Sequence, residues 1–263
     1  MNRSVSLLLI ALLSSAACAQ SSRTQDGGTT VVTMRDGGVS QVLQSIYLPT
    51  LINAPFTAIV HAEWTRPMAE GGSFTFVNQR RIARDSAGRI YEERWALVPK
   101  GGHVNSVMTT IQLGDPNAHT LYNCYTLQKP HRCVLETFAE TAEAVYKPAI
   151  GTSGMLPNNM GFRTHEDLGS RSIEGIETHG TRDTTNYNAG VMGSDQPFAV
   201  KREFWYAAQI GINLYSELVD PTVGKQVFTI TDVTLTEPDP KLFELPQGFA
   251  VVDKRLPVEA LPE

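Results

Sequence analysis

The chain has 263 residues, with 22 Lys and Arg against 27 Asp and Glu, a formal net charge of −5 and 41% hydrophobic residues. No Lys/Arg block interrupts this mildly acidic composition, which argues against nucleic acid and anionic membrane surfaces as partners. The longest apolar run lies at the N-terminus and is too short to span a bilayer, so no transmembrane segment is expected in the mature chain.

Residues 1–19 have the build of a secretory signal: Arg3 at the start, an apolar core from Val5 to Leu13, then small residues. Ala17-Cys18-Ala19 fits a small-x-small cleavage pattern that leaves Gln20 as the new N-terminus. The alternative is acylation of Cys18, which is disfavoured by Ser15 standing where a lipoprotein signal carries Leu or a similar residue. The expectation is an exported protein, periplasmic or outer-membrane-associated, with a lipid anchor on Cys18 as the less favoured form. Residues 20–40 read as a flexible polar tail with Gly27-Gly28 and Gly37-Gly38 pairs, in which Thr30 to Met34 is a short strand candidate. Val42, Leu43, Ile46 and Tyr47 then fall at helical spacing and predict a short helix within 39–52. The absence of a linker composition after the tail favours one domain over 41–263.

From Pro55 the pattern changes to period two. Ala58, Val60, Ala62 and Trp64 alternate with Thr57, His61, Glu63 and Thr65, as expected of a strand buried on one face. A turn over 68–72 leads to a strand over 73–84 with Phe74 and Phe76 on one face. Ser86-Ala87-Gly88 turns again into a strand over 89–98, which makes a meander. A strand over 107–113 and a turn at Gly114-Asp115-Pro116-Asn117 follow. Next come two strands around Gln128-Lys129-Pro130 that bring Cys124 and Cys133 opposite each other. These are the only cysteines outside the signal, and in an oxidising compartment an even pair predicts a disulfide. Residues 139–168 read as an irregular insert, with a helical turn or two near 139–145 and a Gly/Pro-rich stretch after it. Strands resume over 173–187, 200–207, 212–219 and 226–236. In the last, Phe228 and Ile230 share a face while Val233 and Leu235 have the opposite parity. A bulge near Thr231-Asp232 would bring all four to the core.

The C-terminal run carries a resemblance. Asp220-Pro221, Gly224-Lys225, Phe228-Thr229-Ile230, then Glu237-Pro238-Asp239-Pro240-Lys241-Leu242-Phe243, Leu245-Pro246 and Gly248-Phe249 resemble the end of the domain in exported bacterial half-barrel proteins. Those are the proteins similar to the lipoprotein-localisation carriers (LolA/LolB-like) and the periplasmic sigma-E regulators. Leu168-Gly169, Ile173-Glu174-Gly175, Gly180-Thr181-Arg182, Glu203-Phe204-Trp205-Tyr206 and the stretch 81–95 extend the likeness. It comes nearest to a set of uncharacterised exported proteins of this layout. The resemblance implies a mainly-β fold: a single open, strongly curved antiparallel sheet with short helical and loop segments over its concave face. It also implies a cavity for an apolar or amphipathic ligand, lipid or acyl chain, or alternatively an envelope protein partner. Trp64, Phe74, Phe76, Trp95, Trp205 and Phe228 are the candidate cavity residues, and the insert is the only segment long enough to lie over the mouth.

Catalytic and metal motifs reduce to near misses, and no cofactor is implied. His165-Glu166-Asp167-Leu168-Gly169 has Gly169 where a zinc-protease helix needs its second histidine. Gly151-Thr152-Ser153-Gly154-Met155 lacks the last glycine of a nucleophile elbow. His61 and Glu63 share a strand face and read as ordinary polar residues. Arg80, Arg94, Arg182 and Glu203 interrupt otherwise apolar strands. Arg94, Arg182 and Glu203 are candidates for a polar groove, weighed against a cross-strand ion-pair ladder on the solvated face, which is favoured. A ligand-binding module therefore leads, a protein-interaction module follows, and an enzyme comes last.

Overall fold

The computed structural model describes residues 46–142 and 151–255, together with the strands formed within 25–42. The chain divides into two units, 1–44 and 45–263. The expected secretory signal, with Cys18, lies outside the described residues. In the first unit β1 (Gln25–Asp26), β2 (Thr29–Thr33) and β3 (Val39–Val42) form a three-stranded antiparallel sheet. The strand anticipated at Thr30 is β2. β1 lies in the stretch expected as tail, and β3 runs from the end of that tail into the stretch expected as helix.

The helix expected within 39–52 does not form: β3 occupies its start, and residues 46–50 run without helix. Here Ile46 and Leu48 are buried while Tyr47 is exposed, an alternation of extended chain. Pro49 also disfavours the helical region for Leu48.

The second unit is one open fourteen-stranded sheet built from two meanders. The first contains β4 (Phe56–Pro67), β5 (Ser73–Arg84), β6 (Ile90–Trp95), β7 (Val98–Pro99), β8 (Met108–Asp115), β9 (Thr120–Tyr125) and β10 (Arg132–Thr137). The second contains β11 (Gly154–Met155), β12 (Gly161–Ile173), β13 (Ile176–Tyr187), β14 (Phe198–Ala207), β15 (Ile212–Asp220) and β16 (Gly224–Thr234). β16 pairs antiparallel with β4, which sets the meanders side by side. β17 (Ala250–Asp253) returns to pair parallel with β10 at the far edge. The order is β11-β12-β13-β14-β15-β16-β4-β5-β6-β8-β9-β10-β17, with β7 on the free end of β5. The insert expected over 139–168 is shorter than anticipated. The 13 residues of β12 begin at Gly161 and join the sheet rather than covering it. Residues 139–142 carry no helix, and 143–145 lie outside the described residues.

Residues directly opposite across a ladder share a face, so register assigns faces strand by strand. Phe56, Ala58, Val60 and Ala62 of β4 define the core face, joined through register by Ile82, Phe228 and Ile230. Ile212 and Leu214 of β15 pack into the same cluster. The chain itself covers the centre of this face. Ile46 and Leu48 ahead of β4, Phe138 after β10 and Ile210 from the β14–β15 turn pack into it. The Thr50 hydroxyl donates to the Thr141 carbonyl at 2.6 Å, tying two of these covering segments together. Arg84, fully buried, extends among them. Its guanidinium donates to the carbonyls of Pro49 (2.8 Å), Ala54 (2.8 and 3.0 Å) and Ile210 (2.6 Å) and lies over the Phe56 ring. Burial pulls its pKa down to about 10.

A smaller cluster of Ala83, Tyr91 and Leu113 lies on the opposite face. The single turn Pro240–Phe243 covers it with Leu242 and Phe243, its first residues capped by the Asp239 carboxylate. This turn falls within the C-terminal run that carries the sequence resemblance, and β17 follows that run directly. The expected bulge in β16 is present: register with β4 slips between Thr231 and Thr234, and Asp232 takes a φ of 54°. Val233 thereby packs against the core, whereas Leu235, past the strand end, is exposed. Glu174 in the β12–β13 turn accepts from the Asp232 backbone N–H at 3.1 Å, linking that hairpin tip to the bulge.

Candidate functional site: the open part of the core face

Only some of the candidate cavity residues share a face. Trp64, Phe76 and Phe74 follow the core-face row at the ends of β4 and β5, and Phe228 is buried at its centre beside Ala62. Trp95 and Trp205 stand on the opposite face. Trp205 pairs with Tyr215, Tyr215 with Thr229, and Thr229 with His61, whose parity is opposite to that of Val60. Trp95 donates its indole N–H to Glu93 two residues away at 2.8 Å, and Glu93 shares its parity with Tyr91 of the opposite-face cluster. Register slips between Arg94 and Trp95 and between Trp205 and Tyr206 mark both places.

Towards the strand ends the core face opens. Trp64 is half-buried, its indole N–H donating to the Val223 carbonyl at 2.8 Å, and its ring lies 6.1 Å from that of Phe76. Phe74 is 57% exposed, and Met68 from the intervening turn is 40% exposed.

On the strands from β5 to β10 this face turns polar. Glu92 is opposite Gln112, Gln112 opposite Asn123, and Asn123 opposite Val134. One residue pair further along, Arg94 is opposite Thr110, Thr110 opposite Tyr125, and Tyr125 opposite Arg132. The first row is hydrogen-bonded throughout its polar part. Arg94 contacts Glu92 at 2.7 Å and donates to Gln112 at 2.8 Å. Gln112 donates to Asn123 at 2.7 Å, and Asn123 donates to Glu136 at 3.1 Å. Arg80, buried on β5, faces Glu92 at 3.7 Å; desolvation pulls its pKa down to about 10 against the opposing pull of that carboxylate. Asn78 donates to the Trp95 carbonyl at 2.7 Å while its own side-chain oxygen is buried without a hydrogen-bond partner.

Arg182 and Glu203, the other groove candidates, lie on the opposite face. Glu166, Arg182, Glu203, Glu217, Val227 and Glu63 stand opposite one another in sequence across β12 to β16 and β4. Arg182 pairs with Glu203 at 2.9 Å and Glu166 at 3.6 Å, and Lys201 and Lys225 hold Glu217 at 2.9 and 3.0 Å. Burial pushes the Glu217 carboxyl up, but hydrogen bonds from Lys201, Lys225 and Tyr215 outweigh it and hold it at about 2. The Trp205 ring lies over Gly180, its cross-strand partner, with the Arg171 guanidinium 3.6 Å from its centre.

His61 and Glu63 share this opposite face but do not meet. His61 bonds the Thr231 hydroxyl at 2.9 Å and Glu63 pairs with Lys100 at 2.7 Å. His165 Nδ1 lies 2.7 Å from the Asp183 carboxylate, while Ser153 Oγ accepts from the His165 backbone N–H at 2.9 Å. Among the described residues no three His, Cys, Asp or Glu side chains gather as metal ligands, and no helix is long and apolar enough to cross a membrane.

No protein-family model and no curated protein matches the sequence. Solved structures do. An uncharacterised conserved protein from Thermus thermophilus aligns over 76% of this chain and 91% of its own at 11% identity, with a TM-score of 0.38. MucB aligns over 76% of this chain and 60% of its own at 11% identity and TM-score 0.36. A LolA superfamily protein from Nitrosomonas europaea aligns over 73% and 91% at 9% identity and TM-score 0.29.

The sequence reading missed Gln112, Asn123, Tyr125 and Arg132. Each sits at an ordinary polar position of a short strand, and only the register that lines them up with Glu92 and Arg94 reveals the shelf.

Proposed function

We propose that this chain is an exported envelope protein that binds an apolar or amphipathic, lipid-like ligand on the open part of its core face. The observation that carries this reading is the run Trp64, Phe76 and Phe74, which leaves the filled core and ends in an aromatic ring 57% exposed. Apolar surface continuous with a core and bordered by a polar shelf is costly in water and is relieved by a ligand with an apolar body and a polar end. Because Ile46, Leu48, Phe138 and Ile210 already fill the centre, the ligand takes the strand ends rather than a deep cavity. Export is supported by the signal at residues 1–19.

The test is enhancement of the neutral dye N-phenyl-1-naphthylamine by the full mature chain. The wild type should raise its fluorescence, and Phe74→Asp, at an exposed position, should abolish the effect while the far-ultraviolet spectrum stays that of a folded sheet. Equal enhancement by folded wild type and variant overturns the reading.

One observation favours a protein partner as the second reading. All four residues of β17 are exposed, including Val251 and Val252, and among the described residues the strand ends the sheet order with β10 as its only neighbour. Such an edge is a template for a further strand.

A further inference from the structure

Resting on the amphiphile reading, we propose that the headgroup taken by the core face is anionic, and that Arg94 and Arg132 hold it with the hydroxyls of Thr110 and Tyr125 between them. The four stand in one cross-strand row, each directly opposite the next across β6, β8, β9 and β10. At about 4.8 Å per strand the two arginine positions lie roughly 14 Å apart, with a hydroxyl at each intervening step. The long side chain of exposed Arg132 can close on a group placed between it and the fixed guanidinium of Arg94. Two guanidiniums flanking hydroxyl donors suit a phosphate or carboxylate, because both side-chain types donate, a guanidinium offers a cationic head no acceptor, and its charge-assisted bonds to an anion are stronger than those to a neutral oxygen.

Charge on this face points the same way. From β5 to β10 the strand positions facing the core side bear Arg80, Arg84, Arg94 and Arg132, against Glu92 and Glu136 alone. Glu92 is already engaged by Arg94 at 2.7 Å and faces Arg80 at 3.7 Å. Arg84 spends its donors on backbone carbonyls, which leave its charge uncancelled. Arg132 is exposed, and among the described residues no carboxylate pairs with it. Even without Arg84, which lies buried among the covering segments, the shelf carries three arginines against two carboxylates, in contrast to the opposite face. There Glu166, Glu203, Glu217 and Glu63 each meet a basic side chain.

Access is consistent with this role. The Arg94 side chain is 38% exposed although two of its nitrogens are engaged. Its bonds to Glu92 and Gln112 hold the guanidinium in place before any ligand arrives, which lowers the ordering cost of binding. Phe76 stands four residues along β5 from Arg80, about 13 Å at ~3.3 Å per residue, so one amphiphile can reach both the aromatic end and the basic shelf.

The experiment displaces N-phenyl-1-naphthylamine from the full mature chain with dodecyl phosphate, dodecyl maltoside and dodecyltrimethylammonium, each below its micelle concentration, and with inorganic phosphate. Dodecyl phosphate should displace the dye at concentrations about tenfold lower than the maltoside, the scale of one charge-assisted contact, and the cationic amphiphile should be weakest. Arg94→Gln with Arg132→Gln should remove that preference. Arg132→Gln alone, at an exposed site, should weaken it even where the double variant does not fold. Inorganic phosphate should leave the dye bound and compete only with dodecyl phosphate, marking a lipid headgroup site. Release of the dye by phosphate alone would point to a free-anion site and overturn the proposal. Equal displacement by anionic and neutral amphiphiles, or a full preference retained by folded Arg132→Gln, overturns it while the amphiphile reading stands. Failure of the wild type to take up dye or any amphiphile overturns the amphiphile reading itself.

Discussion

The guanidinium of Arg84 donates to the carbonyl of Ile210 at 2.6 Å, joining the end of β5 to the β14–β15 turn across a separation of 126 residues. The same group serves Pro49 and Ala54, so a single side chain, with no carboxylate partner among the described residues, fastens two of the three covering segments to the core face. A fully buried cation is tolerated because three carbonyl dipoles and the Phe56 ring replace its hydration.

Arg84→Met is therefore expected to cost about 3 kcal/mol or more, since it leaves several buried carbonyls without donors. Arg84→Lys should recover only part of that, because one ammonium cannot reproduce the planar fork. Urea unfolding midpoints of the three proteins check this, and near-equal midpoints would contradict the stapling role.

Cys124 and Cys133 are directly opposite on β9 and β10, fully buried and disulfide-bonded, as the hairpin reading expects. Cys124→Ser with Cys133→Ser should lower stability by roughly 2 to 4 kcal/mol, nearer the lower figure for so short a loop. Denaturation of the variant and of the wild type with and without reductant measures it; an unchanged midpoint on reduction would sink the expectation.

A Cβ on Gly180 would stand 2.7 Å from the Trp205 ring, so this glycine is required for its missing side chain. Gly180→Ala should lift the indole from the strand. That would loosen its bond to Glu203 at 2.9 Å and its stack on Arg171, at a cost of about 1–3 kcal/mol typical of overpacking. Near-ultraviolet circular dichroism should lose tryptophan signal while the far-ultraviolet spectrum is kept. A wild-type near-ultraviolet spectrum would show that the ring has room.

The Glu217 carboxyl is held at about 2, below the ordinary 4.5, by Lys201, Lys225 and Tyr215 working against its burial. Its contribution is present in full above pH 4.5 and is lost as the pH falls towards 2. Glu217→Gln should be less stable at neutral pH and should lose less on acidification through that window. Urea midpoints at a series of pH values test this; parallel acid limbs for the two proteins would argue against the depressed carboxyl.

What the sequence determined by itself was local. The alternation of Ala58, Val60 and Ala62, the parity change between Ile230 and Val233, and the short hairpin between Cys124 and Cys133 each involve neighbours along the chain. Period two and turn chemistry suffice for them. The same local signals misled where context overrode them. Ile46 and Tyr47 have helical spacing but lie in extended chain, because the core face needs Ile46 and Leu48 as its cover.

The membership of the site was decided only by tertiary structure. Within a strand, parity tells which side chains share a face, but not which parity of one strand matches which of the next; a slip of one residue exchanges every side chain between faces. The pairings that run from β14 through β15 and β16 to β4 set Trp205 on the ladder face, Trp95 lies on the side of Glu93, and Trp64 and Phe76 stay on the core face. The same long-range register sets Arg94, Thr110, Tyr125 and Arg132 in one row, a relation that no spacing along the chain encodes.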